Sequence, residues 1–307
     1  MFVIIGSVTA DLLLFSEKLP ANLTGDGFQA GNLVFTNRPL TVLMGGNGGN
    51  SAYVSGRLGL PTALIGAVGQ DVLGDQLLQW LTATGVDTRG LLRSTSHATS
   101  TSTIISSGPT RQAVFHHLGS TALVDWPQIP PELLVQAEVL LCSSFHLLPG
   151  MRARGFARTL KAAHRHGAST ALDIGPALGE LVTVPELTPL FPDLDFLIGN
   201  HHELAVLTGR SNLEPAASLL LDAGFRCVVI KRGAVGASLR NRTASIDSPG
   251  FSVETTVSIG AGDAFNVGFL YGVRQGWALP RSLRFGSAVA ALVVSSDRGV
   301  LGEPTLD

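Results

Sequence analysis

Short runs of β-branched and other apolar residues recur at 3–5, 63–65, 139–142, 169–173, 196–198 and 228–231, with longer helical patterns between them at 75–84, 151–166 and 214–223. This alternation predicts an α/β fold, a mainly parallel central sheet flanked by helices. In such sheets, ligands sit beyond the carboxyl ends of the strands. Two segments break the rhythm, 12–40 and 95–117, both rich in Thr, Ser, Gly and alternating apolar residues. They predict extra strands. Within the second, 99–105 and 112–117 flank Ser107-Gly108-Pro109-Thr110, a plausible hairpin. The expected organisation is a main α/β domain of residues 1–11, 41–94 and 118–307 with a small β-sheet lid, 12–40 and 95–117, inserted in it. A lid at the mouth of a site excludes water.

The 307 residues suit one large domain with such an appendage. With 45% hydrophobic and 14% charged residues and a mean hydropathy of +0.32, most apolar content must be internal, and some surface is apolar enough for a subunit contact. A net charge of −2 without a basic run argues against nucleic acid or an anionic membrane as partner. The longest apolar tract, 288–294, falls short of a membrane span. Cys142 and Cys227 lie far apart in apolar stretches, which predicts buried thiols in a reducing compartment. The opening Phe2-Val3-Ile4-Ile5-Gly6, with no basic lead or cleavage site, reads as a first strand. A soluble, cytoplasmic protein is expected.

The most informative chemistry is in Gly260-Ala261-Gly262-Asp263-Ala264-Phe265-Asn266, after a strand-like segment at 251–257. Two glycines let a ligand approach the main chain, and the first N–H groups of the following helix point at it. A phosphate is the expected guest. Asp263 falls in the first helical turn, where the dipole favours its ionised form and lets it accept a proton from a substrate hydroxyl. A tight strand-to-helix connection with a capping Asp is the alternative. Gly268, Gly272 and Gly276 follow at every fourth position along a helix expected over 263–275, clearing one stripe for close packing.

Gly45-Gly46-Asn47-Gly48-Gly49-Asn50 precedes a helix expected over 51–58, and two Asn amides beside free backbone donors suit a polyol. A dinucleotide fingerprint fits poorly, since Ser51 stands three positions after Gly48. Asp11, after the first strand, can accept hydrogen bonds from two vicinal hydroxyls. Asn200 and Glu203 share one helical face and suit either water and Mg²⁺ near phosphates or a helix cap. His201 and His202 are adjacent, so they point apart and make a poor metal pair. Residues 230–237 read as a β-hairpin around a glycine turn.

Together these motifs resemble the ribokinase-like, or PfkB, carbohydrate kinases over essentially the whole chain. The 45–50 block with Leu64-Ile65-Gly66-Ala67-Val68-Gly69-Gln70-Asp71-Val72-Leu73-Gly74 is similar to the family's N-terminal signature, and the 260–263 block to its C-terminal one. Asn200-x-x-Glu203 and Lys231-x-Gly233 match two intermediate motifs. The resemblance implies that Asp263 is the general base and that the N–H groups of Gly260, Ala261 and Gly262 form an anion hole. It implies that Asp11, Gly46, Asn47 and Asn50 hold the sugar, and that Asn200, Lys231, Gly233, Gly236 and Ser287 border ATP. Glu203 would position Mg²⁺ through water, and the lid would mediate a homodimer.

Departures sharpen the expectation. Val257-Ser258-Ile259 stands where the family usually has Asp-Thr-x, and that Asp helps to bind a monovalent cation in potassium-stimulated members. Stimulation by K⁺ is therefore not expected. Asn47 occupies the place where members acting on phosphorylated sugars commonly carry a cation, which favours an uncharged acceptor, although Arg38, Arg111, His116 and His117 are lid residues able to supply charge. Residues 143–146 contain no acid matching the one ribokinases proper use on the sugar. A nucleoside is the next acceptor, with Phe35 and Phe115 for stacking. The rival from another class is a catalytically silent ligand-binding relative, which would have no need of Asp263.

Overall fold

A computed structural model of the chain describes residues 1–16, 33–107, 112–152, 154–176, 180–255, 258–302 and 305. Its main sheet has nine strands. From one edge they run β13 (Ser245–Pro249), β12 (Gly236–Asn241), β11 (Cys227–Lys231), β10 (Phe196–Asn200), β9 (Ser169–Asp173), β8 (Val139–Cys142), β1 (Phe2–Ile5), β4 (Thr62–Gly69) and β5 (Asp87–Ser94). All neighbours from β11 to β5 pair in parallel, and the β11–β12–β13 end is antiparallel. The period-two geometry of a strand divides the side chains between two cores. Phe2, Ile4, Val139 and Leu141 enter one, whereas Val3, Ile5, Leu140 and Cys142 enter the other.

Helices α1 (Asn47–Arg57), α2 (Val72–Ala83), α8 (Ala261–Arg274) and α9 (Leu279–Val294) cover the first face. On the second face lie α3 (Pro131–Val135), α4 (Arg154–Arg165), α5 (Val184–Leu187), α6 (His201–Thr208) and α7 (Leu213–Ala223). Burial in these cores raises both thiols, that of Cys227 to about 12, so neither is a ready nucleophile. No helix among the described residues is long and apolar enough to cross a membrane.

A separate four-stranded sheet has the order β3-β2-β6-β7, with β2 Thr9–Phe15, β3 Thr41–Gly45, β6 Ser100–Ser106 and β7 Gln112–His117. The hairpin of β6 and β7 forms as expected. The boundaries differ: 9–11 and 41–45, assigned above to the main domain, are ladder residues of this sheet. Turn residues 108–111, Arg111 among them, lie outside the described residues, as do 17–32 and Val257.

Three local expectations are corrected. Residues 251–255 form no strand, because Phe251 turns its ring beneath the Arg284 guanidinium, 3.7 Å away, and the segment lines a cavity rather than a ladder. Helix α1 begins at Asn47 instead of 51, since Gly46, at φ 74°, supplies the turn and its carbonyl accepts from Asn50 N–H at 2.9 Å. Gly276 does not continue the glycine stripe: it lies past the end of α8 at φ 66°, where it stops the helix. Gly268 and Gly272 do clear room, for a Cβ on Gly268 would fall 2.9 Å from Gly286 Cα and one on Gly272 2.5 Å from Ser282 Oγ.

Candidate active site

Helices α1 and α8 start side by side, and each is introduced by a glycine in the left-handed region. Gly260 caps α8 at φ 79°, and no side chain takes the first free N–H groups. A Cβ there would meet Val300 Cγ1 at 2.5 Å, so both conformation and space require glycine. Of the anion-hole donors implied above, Ala261 N–H is already given to Ser258 O at 3.3 Å. The N–H groups of Gly262 and Asp263, second and third in the helix, have no helical acceptor within reach.

Because α1 starts at Asn47, Asn47 and Asn50 lie three apart on one helical face, and that face meets Asp263. Asn47 Nδ2 donates to Asp263 Oδ1 at 2.9 Å, and Asn50 Nδ2 to Oδ2 at 2.8 Å. The two amides expected to hold a sugar therefore hold the carboxylate. Asp263 is 5% exposed, and burial, with the charge of Asp173 second, raises its pKa to about 7 against the pull of both amides and Lys231. The helix dipole was expected to keep this group ionised at neutral pH. Desolvation outweighs it, leaving a carboxylate that takes up and gives back a proton near neutrality.

Lys231, at the carboxyl end of β11, reaches toward the same helix start, its Nζ 3.3 Å from where a Cβ on Gly262 would lie. Its ammonium donates to Asp173 Oδ2 at 2.9 Å and to Asn266 Oδ1 at 3.5 Å, and Asn266 Nδ2 donates to Asp173 Oδ2 at 2.5 Å. Asp173 is 1% exposed. Sequence reasoning passed over Asp173, though it ends a predicted strand at the edge where ligands gather, and Asn266, one turn after Asp263.

Asn200 and Glu203 form a capping box at the start of α6: Glu203 N–H donates to Asn200 Oδ1 at 2.8 Å, and Asn200 N–H to Glu203 Oε2 at 2.6 Å. Burial raises the Glu203 pKa, opposed mainly by the charge of Lys231. Among the described residues no cluster of three His, Cys, Asp or Glu could hold a metal ion.

Asp11 belongs to the lid sheet, on β2. In the lid sheet Asp11 pairs with Ser102, and Ser102 with His116 on the next strand. Burial raises Asp11 to about 6 despite a hydrogen bond from Ser102, and its Oδ1 is buried without a partner. Gly45 packs directly on this carboxyl group, and a Cβ on Gly46 would fall 2.4 Å from Ser7 O.

A cavity of about 620 Å³ runs from Lys231, Gly233 and Gly262 to an apolar end at Phe251, Val253, Ala290 and Val294, with Gly236 and Ser287 in its wall. Ser287 Oγ is buried and unpartnered. A second cavity of about 620 Å³ joins Asn200, His201 and His202 to Lys231 and Gly233. Lys231 thus stands where the two meet, beside the start of α8.

The family model for the pfkB family carbohydrate kinase matches residues 1–306. The chain belongs to that family. As a pfkB carbohydrate kinase it is of a phosphotransferase family, and its relatives spread over sugar and nucleoside kinases. A 5-dehydro-2-deoxygluconokinase of Geobacillus thermodenitrificans is 27% identical, covering 97% of this chain and 94% of the relative. A ribokinase of Haemophilus influenzae is 26% identical, over 98% and 94%, and a nucleoside kinase of Methanothermobacter thermautotrophicus is 26% identical, over 89% and 85%. The structure of Arabidopsis thaliana ribokinase with ribose and ATP has a TM-score of 0.84 at 24% identity, covering 99% and 95%. The fold is accordingly ribokinase-like, as the sequence motifs implied.

Proposed function

We propose that this pfkB-family protein transfers the γ-phosphoryl group of ATP to a hydroxyl of a small, uncharged sugar, with a nucleoside as the second acceptor class. One observation carries the reading: a buried carboxylate with a pKa near 7 lies in the first turn of a glycine-capped helix whose free N–H groups adjoin a buried ammonium. Asp263 would take the hydroxyl proton, and the 260–263 backbone with Lys231 would bear the charge of the moving group. Phosphoryl transfer rests mainly on such positioning and electrostatics.

Lys231, Gly233, Gly236 and Ser287 fit ATP because the cavity they line is polar at the α8 end and apolar at the other, and because the orphaned Ser287 hydroxyl needs a partner. Asn200 would border the phosphates. Mg²⁺ would supply charge neutralisation, with Glu203 facing it through water. Asp11 would bind acceptor hydroxyls through its unpartnered oxygen, and Gly46 would let the acceptor approach the main chain. Asn47 and Asn50 would reach the acceptor while holding the base. His116 supports the uncharged acceptor, since burial and the neighbouring His117 lower its pKa and keep it neutral at pH 7. A carboxylate such as 5-dehydro-2-deoxygluconate would meet no fixed cation on that row.

An ADP-release assay over ribose, 5-dehydro-2-deoxygluconate, other sugars and adenosine tests this. Turnover on a neutral sugar is expected. Preferred turnover of 5-dehydro-2-deoxygluconate would overturn the acceptor class, and thermal stabilisation by ATP without turnover on any acceptor would favour the silent relative. Turnover in K⁺ should match that in an equal Na⁺ buffer; a K⁺-specific rise would contradict the reading of 257–259. The lid's exposed Phe35, Val114 and Phe115 support a homodimer, and a monomer in light scattering would remove that proposal.

A further inference from the structure

Ser144 is the only described residue other than glycine with a positive φ, 59°. A serine is strained there, and such strain persists only where its surroundings fix it, commonly at working sites. Ser144 follows β8 and is 2% exposed. Its hydroxyl donates to Asn47 Oδ1 at 3.1 Å. Having a single proton, it must then accept from the Ser7 hydroxyl, 2.9 Å away, and it also accepts Ser7 N–H at 3.1 Å. The bonds all point one way: Ser7 to Ser144, Ser144 to Asn47, Asn47 to Asp263.

We infer that Ser144 is a positioning residue for the phosphoryl-transfer base, acting through Asn47. The inference rests on the reading of Asp263 as that base. An amide free to turn over can offer the carboxylate either N–H or oxygen, and only the first holds it. The Ser144 hydroxyl decides between them, because its proton demands the amide oxygen and leaves Nδ2 for Asp263 Oδ1. Asn50 provides the contrast. Its Oδ1 is buried with no partner, so nothing but the carboxylate orients it. Asn47 is therefore the amide that ties Asp263 Oδ1 to the rigid sheet, through the turns after β1 and β8. With one lone pair of Oδ1 held in that direction, the other is aimed rather than free to wander.

The residue itself supplies a discriminating test, since strain and hydroxyl can be removed separately. Ser144→Gly relieves the backbone at φ 59° but deletes the hydroxyl, so a merely structural residue would change stability alone and leave catalysis untouched. The expected result is kcat about tenfold lower, the scale of a misplaced reacting group, with an unchanged KM for MgATP and a Tm above that of Ser144→Ala, which loses the same three hydrogen bonds and keeps the strain. Ser144→Ala keeps the strain and should lose the same kcat with a lower Tm. In an Asn47→Ala background, Ser144→Gly should cost nothing further. These are measured as ADP release with the acceptor giving the highest wild-type turnover.

Wild-type kcat in Ser144→Gly, or an equal loss in both backgrounds, would overturn the inference. Asp263→Asn is run alongside. If that variant loses turnover while Ser144→Gly does not, only this inference falls; if it turns over like wild type, or the wild type phosphorylates nothing, the base reading falls and the inference with it.

Discussion

At the start of α6, Asn200 and Glu203 satisfy each other's backbone N–H groups. At the start of α8, Gly260 has no side chain to offer, and Asp263 is held instead by two amides from α1. Both helices carry an acid at the third position, yet one acid closes its own helix end and the other bonds outside its helix, to the two amides of α1. The difference lies in the cap. A side-chain cap consumes free N–H groups, whereas a glycine cap leaves them for a ligand and releases the acid. A further contrast lies in the charge around each acid. Glu203 is buried yet faces Lys231, while Asp263 feels Asp173 more strongly than Lys231 and is held near pH 7.

That contrast breaks most sharply at Asp263. Asp263→Asn should lower turnover by roughly 10²–10⁴ with MgATP binding retained, the scale of a lost general base. ADP release and calorimetric titration with MgATP check it, and turnover close to wild type would make Asp263 a cap like Glu203. Next in size is Gly260→Ala. A left-handed alanine with its Cβ against Val300 should cost roughly 1–3 kcal/mol, read as a fall in Tm. An unchanged Tm would mean that the glycine is not needed for conformation. Smallest is Glu203→Ala, expected to cost about 1 kcal/mol as half of a capping box is lost. Glu203→Gln keeps an acceptor for Asn200 N–H and should hold stability while raising the Mg²⁺ concentration needed for half-maximal rate. If Gln leaves the Mg²⁺ response untouched, Glu203 is a cap alone.

The layered fold was legible because strands buried on both faces are short and almost wholly apolar, as at Phe2–Ile5 and Val139–Cys142. The edge strand β5 was not, since Asp87-Thr88-Arg89-Gly90 is polar and only half buried. Glycines misled in two places, at Gly276 past the end of α8 and at the start of α1. Gly48 and Gly49 read as loop, yet they belong to α1 because the helix crosses the backbone of Gly6, where a Cβ on Gly48 would come within 2.7 Å. At the site, residues on one local motif were found together. What sequence could not supply were contacts across long separations: Asn47 and Asn50 on Asp263, Asp173 on Lys231, and Ser144 behind Asn47. Each depends on which strand ends the topology brings side by side.

In the proposed function, Asp263 accepts the substrate proton from an environment that raises its pKa to about 7. A base acts only when ionised, so the rate should be lost as pH falls through that value. The most direct measurement is the pH dependence of kcat/KM for the phosphorylated acceptor, wild type beside Asp263→Asn. A proton-accepting Asp263 gives a wild-type rate rising about tenfold per pH unit below pH 7 and levelling above it, a limb absent from the residual activity of Asp263→Asn. A wild-type profile flat from pH 5.5 to 8.5, or the same limb in both proteins, would contradict it.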